Sequence, residues 1–321
     1  DWNSRKEFSG TFDGNGYKII GLYVNNTDSN PNSATGFIAV GSGTVKNLHF
    51  EKSFVKGARN IGGIVGLAFN NFKLLNCSFS GVVKGNGAFA GGMIGRYYWN
   101  MGEDRRMVIN SCSFEGSISS NQIIGGILGE IGTYVQNSKP TVDIINSYVV
   151  ADVTGTDNRT GGLIGRVSAT NTNATANIID SYFYGKLNEK AGGTLVGLLE
   201  GNFSPAANII NTYYNSDIIG GANDKQIQGT GKSTSEFSDG TVTNLLNNSN
   251  SNGEAYWAWR QGEKYPINNR AHLNALTLSS GDFSFTPTVY EYSRSVTYEN
   301  EFIAITPVAA YDTNKITVDG K

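Results

Sequence analysis

Cysteine and histidine occur only twice each in this chain. Two cysteines cannot supply a disulfide framework, and His49 and His272 alone supply nucleophilic triads and histidine metal sites poorly. Charged residues make up 16 %, and the formal net charge is -2 with both signs dispersed, so nucleic acid and anionic membranes have no electrostatic footprint here. No stretch approaches the roughly 20 apolar residues that span a bilayer. No 3.6-residue periodicity persists beyond a short run near residues 233–247, which excludes long helices. No motif implies a cofactor or a metal. The chain opens at Asp1 without Met or a signal-peptide pattern and reads as a piece of a longer protein.

Glycine, by contrast, occurs 41 times, and asparagine is nearly as abundant. The phrase Gly-Gly-apolar-apolar-Gly stands at Gly62 to Gly66, Gly91 to Gly95, Gly125 to Gly129 and Gly161 to Gly165, with a looser copy from Gly192 to Gly197. Its period of 29 to 36 residues marks a solenoid, in which each unit buries its apolar side only against the next. None of these phrases leads into a helical pattern, so the glycines are read as coil corners and not as a phosphate cradle.

An apolar pair followed by Asn or Asp accompanies the phrase, giving Asn76, Asn110, Asn146, Asp180 and Asn211 at corresponding places. Stacked amides form a ladder in which each side chain donates to one neighbour and accepts from the other. Asp180 accepts but does not donate when ionised, so the ladder is expected to be weaker there. A third strand is expected around Val55, Val83 and Val153, making three strands per coil. Cys77 follows Asn76 by one position and Cys112 follows Asn110 by two, so the two side chains are expected on opposite faces of the wall, as free and mostly buried thiols.

Immediately after the glycine phrases stand Leu67, Arg96, Glu130, Arg166 and Leu198, which predicts an alternating-charge ladder Arg96, Glu130, Arg166. It serves register and solubility or, alternatively, a polar binding stripe. The segments from the glycine phrase to the next ladder residue are longer after the first complete copy, and insertions at one corner emerge on one face. The first long segment gathers Tyr97, Tyr98, Trp99, Glu103, Asp104, Arg105 and Arg106. Tyr97, Tyr98, Trp99, Arg105 and Arg106 are the candidate ligand-binding residues, suited to a sugar ring or a protein partner. The plainer alternative is that Tyr97 and Trp99 pack over the coil wall. Asp13 and Asn15 have a superficial likeness to a calcium loop, but its twelfth position is Val24 where a bidentate Glu is needed.

Residues 1–215 therefore read as a parallel β-helix. Residues 216–270 read as its closure, with a capping box at Ser233 and Glu236 and with Trp257 and Trp259 covering the last coil. Residues 8–24, the Gly-Gly-Leu-Ile-Gly type repeats and the closing Trp before Tyr265-Pro266 together resemble the GLUG-repeat family of bacterial surface proteins. The resemblance runs over roughly residues 1–270. It implies a parallel β-helix on secreted or wall-attached proteins, often adhesins, and also a placement beside zinc proteases that cut immunoglobulin A; their His-Glu-x-x-His site is absent from this sequence. Residues 271–321 alternate in short strands and resemble an incomplete cadherin-like β-sandwich module.

The fold class is thus all-β, a parallel β-helix with a small C-terminal β-sandwich. The first functional reading is a non-catalytic extracellular adhesion or stalk module that meets a host or matrix glycan or protein. The second is a polysaccharide lyase or hydrolase using Glu103, Asp104, Arg105 and Arg106, and the third is a spacer without a ligand.

Overall fold

The computed structural model describes residues 6–28, 30, 33–87, 89–99, 104–133, 139–170, 173–188, 190–220, 226–248, 256–259, 262–269, 273–279, 283–285 and 302–309. It is an all-β parallel solenoid of about six turns. Each turn visits four walls, which form parallel sheets of seven, nine, five and six strands. One turn runs through Lys73–Leu75, Ser78–Gly85, Phe89–Gly91 and Ile94–Trp99.

Four strands per coil, and not the expected three, has a local cause. Val55, Val83 and Val153 continue the long second strand, as in His49–Gly57, Ser78–Gly85 and Tyr148–Thr154. The glycine phrase instead bends in its middle and supplies two strands, as in Asn60–Gly62 and Val65–Ala68. A Cβ on Gly63, at that corner, would stand 2.5 Å from the Gly92 carbonyl oxygen and 2.7 Å from the Phe79 ring, so nothing larger than glycine fits.

Inside, like stacks on like. Val45, Leu74, Ile109, Ile144 and Ile178 form one buried column and Phe50, Phe79 and Phe114 another, with Phe79 and Phe114 stacked at 6.1 Å. Each such side chain contributes roughly 1.5–3 kcal/mol by leaving water.

The polar ladder sits where the first wall turns into the second. Asn76 donates through Nδ2 to Asn47 Oδ1 at 2.8 Å, and Asn47 donates in turn to Asp13 Oδ1 at 3.0 Å. Asn211 donates to Asp180 Oδ1 at 2.6 Å. Asn47, Asn76, Asn146, Asp180 and Asn211 take positive φ, near 50°, and so does Ser111 rather than Asn110. Asn110 pairs in register with Leu75 and Ile145, one residue short of the corner. The expected rung at Asn110 is therefore corrected to Ser111. Its short side chain does not reach Asn76, whose Oδ1 is buried with no hydrogen-bond partner among the described residues.

That shift also corrects the cysteines. Cys77 and Cys112 both directly follow the corner, in one inward column with Leu48, Ser147, Ser181 and Thr212, and both are buried and outside any disulfide. The column has its own bonding rule: Cys77, Cys112, Ser147, Ser181 and Thr212 each donate to the carbonyl two residues earlier, at 2.7–3.2 Å. Ser147 Oγ also accepts the Cys112 N–H, and Ser181 Oγ the Ser147 N–H, both at 3.1 Å.

The closing segment divides its work. Gln228 Oε1 accepts the N–H groups of Leu195 and Val196, and two residues later Thr230 donates to the Thr212 carbonyl, so this short piece crosses the end of the core. Thr230–Lys232 then extends the second sheet beside Tyr213–Asn215. The helices Thr234–Ser238 and Thr241–Asn248 do something else. With Trp257 and Tyr265 they pack on the outward side of the second sheet, around Tyr148, Tyr182 and Tyr213 from three successive coils. Trp257 is thus buried against the flank of the solenoid and not over its last coil. The Tyr182 hydroxyl donates to the Pro266 carbonyl, and Asn268 Nδ2 donates to the Asn146 carbonyl at 2.7 Å.

Two small antiparallel pairs complete the described chain, Trp257–Ala258 with Ile267–Asn268 and Leu273–Leu278 with Ile305–Ala309. Within the segment expected to alternate in short strands, Phe283 to Phe285 are irregular, and residues 286–301 lie outside the described residues.

Candidate functional site

The long-loop corner starts from the strand Ile94–Trp99 and returns through Arg106–Asn110. Alternation along the first strand decides which side chains face out. Tyr97 faces in. It is fully buried, its hydroxyl donates to the Asn70 carbonyl at 2.7 Å, and burial holds its phenol well above the ordinary range against a small opposing pull from Arg105. The Tyr97 ring thus lies inside the core and not on the surface of this corner.

Arg96 and Tyr98 share the outward side. The Arg96 guanidinium lies 4.5 Å from the Tyr98 ring centroid and 4.1 Å from that of Phe89, held between two aromatic faces. The Tyr98 ring is half-buried and meets Phe69 edge-on at 6.2 Å. Trp99 pairs with Thr133 along the strand, while its side chain lies outside the described residues, as does Glu103.

Arg105 is half-buried and its carbonyl accepts the Thr141 N–H at 2.9 Å. Arg106 is exposed and ion-paired with Asp143. That hydrogen bond and charge raise the Arg106 guanidinium above its ordinary value. Asp104 is exposed and accepts the Lys139 N–H at 2.9 Å. Asp104 and Arg106 of this corner thus each bind the next coil.

The charge ladder lies in register, Arg96 beside Glu130 and Glu130 beside Arg166. Arg96 Nε stands 2.5 Å from Glu130 Oε2, Arg166 Nε 2.8 Å from Glu130 Oε1, and Arg166 Nη1 2.7 Å from Glu200 Oε2. These side chains are not on the surface. Arg96 is 6 % and Glu130 1 % exposed, against 50 % for Glu200. Burial alone would lower the Arg166 guanidinium, but the Glu130 and Glu200 carboxylates outweigh it and hold it above its usual value.

A second polar run escaped the sequence reading. Asn208 Nδ2 donates to Asn177 Oδ1 at 2.8 Å, and Asn177 Nδ2 donates to Asp143 Oδ1 at 2.7 Å. Its signal was present: Asp143-Ile144-Ile145-Asn146, Asn177-Ile178-Ile179-Asp180 and Asn208-Ile209-Ile210-Asn211 carry a polar residue on each side of the isoleucine pair. In every amide run the donors point toward the chain start, and Asp143, like Asp13 and Asp180, is an end that only accepts.

A family model described as the GLUG motif matches residues 57–84, which hold one glycine phrase and the following ladder residue Asn76. The chain is 35 % identical over 91 residues to Halomucin of Haloquadratum walsbyi, a match that takes in 28 % of this chain and 1 % of that protein. A candidate immunoglobulin A1 protease from Bacteroides ovatus, of solved structure, aligns over 80 % of this chain and 76 % of its own at 20 % identity, with a TM-score of 0.42.

Proposed function

We propose that the chain is a non-catalytic, extracellular surface module: a stiff stalk of stacked coils that presents the corner after the glycine phrase, with Tyr98, Trp99 and Arg105, to a glycan or protein partner. The observation that carries this reading is where the acidic residues go. Glu130, Asp143, Asp180 and Asp13 each accept from a residue of a neighbouring coil, so these four carboxylates hold coils together in register. A hydrolase needs instead two carboxylates facing one substrate, one of them protonated.

The GLUG match and the local likeness to Halomucin support placement on an extracellular surface protein. The antiparallel pair Leu273–Leu278 with Ile305–Ala309 supports reading the last segment as part of a β-sandwich. Incubation with a panel of polysaccharides, followed by release of reducing or unsaturated ends, tests the non-catalytic half. The expected result is no turnover; turnover that disappears in Glu103→Ala would overturn it. Binding, the other half, is tested on an array of glycans and matrix proteins.

A further inference from the structure

The outward face of the second sheet changes character along the solenoid. In the first coils it carries Lys18, Ile20, His49 and Glu51. Over the next two coils the outward positions are mostly serine, Ser78 and Ser80 and then Ser113, with Glu115 beside them. From Tyr148 onward they are aromatic, and the closing segment lies on those aromatics. A floor of small side chains between two taller banks leaves a depression. It is a cavity of about 310 Å³ lined by Glu51, Lys52, Ser78, Ser80, Glu115 and Tyr148. That volume is at the lower end of the range for small-molecule sites, about 300–1,000 Å³.

The backbone is shaped along the same line. Lys52 takes φ 50°, and the register slips between Phe79 and Gly81, so that the strand His49–Gly57 carries one extra residue there. Such a bulge redirects the side chains beside it. The next two coils bend at Gly81 and Gly116, with φ 153° and 138°, and a Cβ on Gly81 would stand 1.9 Å from the Ser53 carbonyl oxygen.

The polar groups around the depression are held in place. Glu115 Oε1 accepts the Tyr148 hydroxyl at 2.8 Å, and the Tyr265 hydroxyl bonds the same carboxylate from the closing segment. Ser78 Oγ lies 2.9 Å from His49 Nδ1, and Glu51 is paired with Lys18 at 2.6 Å. The groove thus offers hydroxyls that donate and accept, carboxylates that accept, and one ammonium donor, Lys52, beside a tyrosine wall.

We infer that this groove is a binding subsite for a neutral saccharide unit, whose hydroxyls meet Ser78, Ser80, Glu115 and Lys52. Charge and spacing favour this ligand over the alternatives. Glu51 and Glu115 stand two coils apart, each tied to its own neighbours, and among the described residues no group of three or more His, Cys, Asp or Glu side chains gathers to hold a cation. The hydrogen bond from Lys18 holds Glu51 below its ordinary range, so that its carboxylate is an acceptor for a ligand hydroxyl. The inference rests on the surface-module reading in expecting a glycan, but it places recognition on a different sheet from the long-loop corner.

Saturation-transfer NMR with methyl glycosides and short oligosaccharides of glucose, galactose, mannose and N-acetylglucosamine tests it, using the full chain. At least one of these sugars is expected to bind wild type. Ser80→Trp, which fills the floor, is expected to weaken that binding about tenfold or more, and Glu115→Gln about tenfold, with circular dichroism unchanged. No binding by any of these sugars, or undiminished binding in a folded Ser80→Trp, overturns the subsite. If binding dies in Tyr98→Ala and survives in Ser80→Trp, the subsite falls while the loop-corner reading stands.

Discussion

Asn211 donates from Nδ2 to Asp180 Oδ1 at 2.6 Å, and because an ionised Asp180 has no proton to pass on, Asn146 Oδ1 one coil earlier is buried with no hydrogen-bond partner among the described residues. A ladder of amides carries donation from coil to coil, and an acid ends it.

Asp180→Asn should therefore stabilise the solenoid. The new amide would accept from Asn211 as before and donate to Asn146, satisfying a buried acceptor at a gain of about 1 kcal/mol. Ser111→Asn should act likewise on Asn76 Oδ1, and asparagine also tolerates positive φ better than serine. Both variants should unfold at higher urea concentration than wild type. An unchanged or lower midpoint would mean that the stack does not relay donation as described.

Glu130 holds two guanidinium groups in a dry environment, while Glu200 closes the ladder half in solvent. Glu130→Ala should cost about 3–5 kcal/mol, because it strands buried charge. Glu200→Ala should cost less than about 1 kcal/mol. Urea unfolding of the two variants side by side checks the contrast, and equal effects would contradict the burial of this ladder.

At high pH the buried phenols set the limit. Burial first, then the Glu115 charge, pushes Tyr265 up to about 12, and burial also raises Tyr182 and Tyr213 above the ordinary 10.0. A raised folded value means that stability is unaffected below pH 10, where the unfolded chain keeps its phenol protons, and falls as pH rises from there toward 12. Beyond the signal of exposed tyrosines such as Tyr17 and Tyr23, the phenolate absorbance of these three should appear together with unfolding in that window. The Tyr265→Phe variant should lose less stability there than wild type.

Cys77 and Cys112 occupy the column that Ser147 and Ser181 fill in later coils, with the same donation to the carbonyl two residues earlier. Serine at either position should change stability by less than about 1 kcal/mol. Both thiols should react with a maleimide only after denaturation, and rapid labelling of the native protein would contradict their burial.

Much of this architecture was readable from the spacing of the glycine phrases, because a corner that admits no Cβ fixes where each coil turns. The register of Arg96, Glu130 and Arg166 followed directly. Their burial did not, since it depends on side chains distant in sequence, such as Phe89 over Arg96. Asn110 was misplaced because matching by residue type chose the asparagine. Aligning Cys77-Ser78-Phe79 with Cys112-Ser113-Phe114 puts Ser111 opposite Asn76 and would have corrected the cysteines too. Taking the loop as one unit puts Tyr97 on the surface corner, whereas strand alternation continues to Trp99 and turns Tyr97 inward. The groove over Ser78 and Ser80 has no local signature, because its far bank is Tyr148, about 70 residues on in the chain, and Tyr265 fixes its Glu115 from further still.

Binding to an array of glycans and extracellular-matrix proteins, by wild type and by a Tyr98→Ala, Trp99→Ala double variant with unchanged circular dichroism, tests the surface-module account most directly. The account predicts binding by wild type that the double variant loses. Equal binding by the folded variant would contradict recognition at this corner, and absence of binding by wild type to every member of the array would leave the coils as a spacer.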